Sequence, residues 1–142
     1  MVDRDVVLGR LDIIKNSLKR LREISQLSRE EFKGNEDYFA IAEHHLRRAL
    51  EAALDIGRHI CIKDDLGQPQ DYRDIFDKLN SGGVLDSKFA ERIRGMAGYR
   101  NRLVHVYNEV SKEEIYQLLQ DRLEDFEIFA DKIMDYTESQ RE

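Results

Sequence analysis

Apolar residues recur along this chain at steps of three and four, the spacing of one face of an α-helix. Val7, Leu11, Ile14, Leu18 and Leu21 make the first stripe, with Lys15, Lys19, Arg20, Arg22 and Glu23 off its line. Asp3 can cap that helix, which the pattern carries to about Ser25. Ser28-Arg29-Glu30-Glu31 has the form of a capping box and opens a brief turn that Gly34-Asn35 breaks or bends. From about Glu36 a long helix carries Phe39, Ala42, Leu46, Ala49, Ala53, Ile56 and Ile60. A second line, Leu50, Leu54, Gly57 and Cys61, widens its apolar face, and the small residues there let another helix come close. A loop spans residues 64–71, around Gly67 and Pro69. Tyr72, Ile75, Phe76 and Leu79 then predict a short third helix that Gly82-Gly83 ends.

Asp86 or Ser87 caps a fourth helix with the stripe Phe89, Ile93, Met96, Arg100, Leu103. Arg100 thus stands where the pattern reserves an apolar side chain. A cation on a core-facing seam is costly unless it is paired or opens onto a polar cleft. Gly95 and Gly98, inside the same pattern, read as close-packing or helix-weakening positions, since no strand precedes them as a phosphate loop requires. Ser111-Lys112-Glu113-Glu114 is a second capping box, and Ile115, Leu119, Leu123, Phe126, Ala130 and Ile133 predict one long last helix. The reading is a single all-α domain over residues 1–142, an up-and-down bundle of four to five helices, with no internal repeat.

Composition narrows the chemistry. At 142 residues, 41% hydrophobic and 37% charged, the chain suits one core and not two. A single cysteine, Cys61, allows no intramolecular disulfide and no Cys-rich zinc site. The N-terminal residues lack a signal-peptide layout, and no apolar run reaches the roughly 18 residues of a membrane span. A cytoplasmic protein free of membrane is therefore expected.

The net charge of −6 speaks against a nucleic-acid partner, but its distribution qualifies that. Four basic and ten acidic residues fall between 111 and 142, so the rest of the chain is neutral. Within residues 91–107, Arg92, Arg94, Arg100 and Arg102 face Glu91 alone. This local basic patch contains the misplaced arginine.

Among the four histidines, adjacent His44 and His45 diverge by about 100° on a helix and do not share a metal easily. Glu51, Asp55 and His59 lie at i, i+4 and i+8, a pattern that a solvated face with a local charge pair explains. No metal and no cofactor are expected. What remains is Arg100-Asn101-Arg102-Leu103-Val104-His105-Val106-Tyr107. An imidazole titrates near neutrality and moves a proton, while a guanidinium holds a phosphate through two parallel hydrogen bonds. Together they suit RNA cleavage without metal: His105 takes the 2′-hydroxyl proton and Arg100 stabilises charge on the phosphorus. One histidine supplies one proton carrier, so a histidine base and a histidine acid would need two chains. A structural ion pair of Arg100 with a bundle carboxylate, His105 facing the carbonyl end of the helix and Tyr107 in the core are the competing reading. Arg100 and His105 would stand about 140° apart on a continuous helix, and unwinding near Leu103 would bring them together.

The spacing Arg100, four residues, His105, one residue, Tyr107, with polar Asn101 after the arginine, resembles the R-x(4–6)-H-x-Y signature of the HEPN superfamily. Helix order and length make the chain similar to its HepT-like branch, small ribonuclease toxins paired with a minimal nucleotidyltransferase antitoxin. That resemblance implies a symmetric homodimer whose two motifs meet in a cleft. It implies Arg100 and His105 as the catalytic pair, Asn101 as their orienting neighbour, and Tyr107 as the residue the antitoxin modifies with AMP. Arg94 and Arg102 become candidates for RNA binding, and the acidic last helix fits a face for a basic antitoxin. Arg100 should then reach into a two-fold cleft, His105 should sit at the helix break, and Tyr107 should be accessible. The alternative is a non-catalytic helical subunit that binds a nucleotide or its partner nucleotidyltransferase.

Overall fold

The fold follows from where each helix is told to start. In the computed structural model, which describes residues 1–104 and 110–140, Asp3 caps α1 (Arg4–Ser25) by accepting from the backbone N–H of Asp5 and Val6. The Ser28 capping box opens the short α2 (Arg29–Lys33), with both reciprocal hydrogen bonds formed. Asn35 caps α3 (Glu36–Lys63), 28 residues and therefore about 42 Å long. Asp71 caps α4 (Tyr72–Ser81), and Asp86 caps α5 (Ser87–Arg94) by accepting from Phe89 N–H at 2.8 Å. After α4 the chain turns through Gly83, whose φ of +81° lies in the left-handed region that favours glycine.

Contacts along α1 fix the directions of its neighbours. Asp3 meets His59, Arg10 meets Asp55 and Ser17 meets His45, so α1 and α3 run antiparallel. Arg4 with Glu138 and Arg22 with Glu127 set the last helix antiparallel to α1 as well. The core between them is largely apolar, with Ile14, Leu21, Leu46, Leu50, Ile56, Phe126 and Phe129 almost fully buried. The small residues of α3 serve the close approach expected of them. A Cβ on Gly57 would lie 2.3 Å from Ile75 Cγ2 and 3.2 Å from Leu79 Cδ1, so α4 packs directly against the backbone there.

Two expected helices are divided. The fourth stops at Arg94, passes through a 3-10 turn at Gly95–Gly98, and resumes as α6 (Tyr99–Val104). No neighbour lies within 4 Å of a Cβ built on Gly95, so this glycine weakens the helix instead of admitting a close contact. The last helix is broken at Arg122 (φ −121°, ψ −6°) into α7 (Lys112–Asp121) and α8 (Leu123–Ser139). That break shifts the buried face, so Phe129 enters the core and Ala130 is only half-buried. The expected apolar line through Ala130 is corrected accordingly. The break also buries Asp125, 1% exposed, against Arg92 (2.6 Å) and Arg122 (3.3 Å). No described helix is long and apolar enough to cross a membrane.

Candidate functional site

The 3-10 turn explains how a cation comes to occupy an apolar register. A 3-10 helix turns about 120° per residue against 100° for an α-helix, so four residues displace the following face by about 80°. Phe89 and Ile93, ahead of the shift, stay buried, as does Met96 within the turn. Arg100, beyond it, leaves the core and lies at the edge of α3 with its side chain 28% exposed.

There Arg100 meets three groups. Its Nε stands 3.9 Å from Glu51 Oε1, its guanidinium carbon is 5.0 Å from the centre of the Tyr72 ring, and its Nη1 donates to Asn101 Oδ1 at 3.3 Å. Arg58 also lies over the Tyr72 ring, at 5.8 Å. Glu51, Leu54, Asp55, Arg58, Tyr72 and Arg100 together line a small open cleft of about 110 Å³. Tyr72 presents its electron-rich face to two cations, which holds both guanidiniums near the cleft without neutralising either. The long separation from Glu51 leaves the hydrogen-bonding fork of Arg100 largely available to an anion.

The other arginines of the patch are engaged differently. Arg94 pairs with Asp77 at 3.1 Å. Arg102 makes a bidentate pair with Glu114, both contacts at 2.8 Å, and lies over the Tyr99 ring at 5.5 Å. Hydrogen bonds from Arg102 hold the Glu114 carboxyl below its ordinary range, against the partial burial that raises it. Glu114 also closes the capping box of α7, so one carboxylate ties the end of α6 to the start of α7. With Arg92 on Asp125, every arginine of this basic stretch faces a carboxylate within the protomer. His105 and Tyr107 lie outside the described residues, so Arg100 and Asn101 are the motif members brought together here.

Three histidines have local partners. His44 and His45 lie edge to face, ring centres 5.0 Å apart, and His45 Nδ1 is 3.2 Å from Ser17 Oγ. Burial first, then the nearby positive groups, lowers the His45 pKa. His59 Nε2 accepts from the Asp3 backbone N–H at 3.0 Å. Among the described residues no group of three or more His, Cys, Asp or Glu side chains is placed to hold a metal.

Sequence reasoning missed Tyr72 and Arg58 as members of the site. Tyr72 reads as the first apolar position of a short helix, and only the packing of α4 on α3 brings it under Arg100. Glu51 and Asp55 were visible as a charged face of α3, and Arg58 follows at helical spacing from both. That periodicity was the available signal.

The chain is 31% identical to the mRNA nuclease HepT of Shewanella oneidensis over 129 residues, covering 91% of this chain and 96% of the relative. It is 25% identical to the tRNA nuclease HepT of Aphanizomenon flos-aquae over 131 residues, 92% of this chain and 89% of that one. Its fold is similar to the tri-AMPylated Shewanella oneidensis HEPN toxin solved in complex with an MNT antitoxin, with a TM-score of 0.84 and 30% identity over 94% of this chain and 99% of that one. A cytosolic Bacillus subtilis protein of unknown function shares the fold at a TM-score of 0.85 and 23% identity, covering 98% and 93% of the two chains. The family described as ribonuclease HepT-like matches residues 14–133, a span that contains the whole Arg100-to-Tyr107 motif, and the chain belongs to that family.

Proposed function

We propose that this chain is a metal-independent endoribonuclease toxin, acting in the cytoplasm as a single-domain homodimer, and silenced by AMP transfer to Tyr107. The observation that carries the reading is the family match across the motif, joined to relatives named as an mRNA nuclease and a tRNA nuclease. In the reaction His105 removes the proton of a ribose 2′-hydroxyl, and the oxygen attacks the adjacent phosphorus. The 5′-oxygen leaves, taking a proton from the second histidine of the dimer, and the product ends in a 2′,3′-cyclic phosphate. Arg100 faces the charge that develops on the phosphoryl oxygens. Asn101, accepting from Arg100 Nη1, orients the guanidinium. Placement beside Tyr72 and 3.9 Å from Glu51 supports the role of Arg100, because it keeps a cation partly exposed with most of its donors spared.

The Shewanella toxin structure, AMPylated and bound to its MNT antitoxin, supports the regulatory half. The Tyr107 hydroxyl would attack the α-phosphate of ATP bound to the partner nucleotidyltransferase, and pyrophosphate would leave. The added phosphate and adenine would repel RNA and engage nearby arginines. Purified protein is expected to cut RNA in EDTA and leave cyclic phosphate ends, with His105→Ala reducing the rate by at least about a hundredfold. An undiminished rate in that variant removes His105 from the mechanism. Intact mass after co-expression with a partner minimal nucleotidyltransferase should rise by whole AMP increments that Tyr107→Phe prevents. Partner binding without RNA cleavage would favour a non-catalytic subunit instead.

A further inference from the structure

Three arginines of the basic stretch on α5 and α6 are closely engaged within the protomer. Arg92, Arg94 and Arg102 pair with Asp125, Asp77 and Glu114, while Arg100 stands 3.9 Å from Glu51. Two further arginines, with Glu51 between them, lie beside this stretch on α3. Arg47, Glu51, Leu54 and Arg58 stand at i, i+4, i+7 and i+11, within about 60° of one another around the helix. Among the described residues neither Arg47 nor Arg58 pairs with a carboxylate, and Arg58 is exposed. Two shallow depressions line this row. One is formed by Ala40, Glu43, His44, Arg47 and Leu103, and the other is the Arg58–Tyr72–Arg100 cleft. Both lie where α3 borders α6, so they flank the motif helix on one side.

We propose that this stripe of α3 is the track that binds the RNA substrate, with Arg47 and Arg58 on phosphates about four to five nucleotides apart and Tyr72 as a stacking surface at one end. The proposal rests on the ribonuclease reading above. Arg47 and Arg58 are separated by about 16 Å along the helix, the length of roughly four to five stacked nucleotides at about 3.4 Å each. A single strand fits better than a duplex, since cations beside an aromatic ring are the usual way to hold unpaired nucleotides without reading their sequence. Sequence preference is then left to the cleft around Arg100.

The test is the salt dependence of binding, read with a fluorescein-labelled single-stranded RNA of about 12 nucleotides and the intact dimer. The Arg47→Gln, Arg58→Gln double variant should flatten the slope of log K against log salt by about 1.4, the share of two phosphate contacts on a single strand. Arg47→Lys, Arg58→Lys should keep most of the slope, which separates lost charge from a misfolded variant. Lys15→Gln, on the α1 face that borders α8, should leave it unchanged. An unchanged slope in the double glutamine variant overturns the track, as does an equal loss in Lys15→Gln or no binding by the unaltered protein. Cleavage with an unchanged slope would leave the nuclease and remove the track. Slope-sensitive binding with no cleavage under any condition would do the reverse.

Discussion

At the scale of single residues, Glu114 has two duties that sequence shows only by halves. Its place as the fourth residue of a capping box is legible in Ser111-Lys112-Glu113-Glu114, while its bidentate grip on Arg102 depends on two helices meeting. Because Arg102 holds its pKa below the ordinary value, the contribution is present at neutral pH and is lost as pH falls through the folded-state pKa. Glu114→Gln should therefore lower the melting temperature by about 2 °C near pH 7 and make the loss of stability between pH 5 and pH 3 shallower. Identical acid profiles for the two proteins would show that the pair has no share in acid sensitivity. Asp125 was hidden for a related reason. It sits between apolar Leu123 and Phe126, and its burial follows from a backbone break that no residue type announces.

Among the elements, starts were more legible than interruptions. Asp3, Ser28, Asp86 and Ser111 each cap a helix where the side-chain chemistry says one should begin. The divisions at Gly95–Gly98 and Arg122 were harder, because a stripe with steps of three and four survives a local change of twist with only a shift of phase. The visible symptoms were Gly95 and Gly98 inside the pattern and Arg100 in an apolar slot. Packing of α4 on α3 is a sharper case, since Gly57 leaves no room for a methyl group against Ile75. Gly57→Ala should cost about 1–3 kcal/mol in denaturant unfolding. It should also weaken RNA cleavage at temperatures where the variant remains folded, because α4 carries Tyr72 beneath Arg100. Full activity in a destabilised but folded variant would uncouple the position of α4 from the site.

For the whole molecule, the decisive question is whether one protomer contains a complete site. The described part of the chain brings Arg100, Asn101, Glu51, Arg58 and Tyr72 together and places no described histidine among the groups that line their cleft. A mechanism with one histidine as base and another as acid then requires both subunits. Mixed dimers of the unaltered chain with His105→Ala should lose at least about a hundredfold in rate, not half. Half the activity would mean that each chain works alone.

The absence of tryptophan from the sequence makes the Tyr72 ring, lying beneath two guanidiniums, a natural place for an optical reporter. An indole is the strongest of the aromatic partners for a cation, so Tyr72→Trp should preserve the stacking while installing the sole long-wavelength fluorophore of the protein. Its emission should change when an oligonucleotide draws Arg58 or Arg100 away from the ring. Occupancy could then be followed in real time in a His105→Ala background that leaves the bound strand intact. Emission that ignores saturating RNA would show that substrate passes elsewhere.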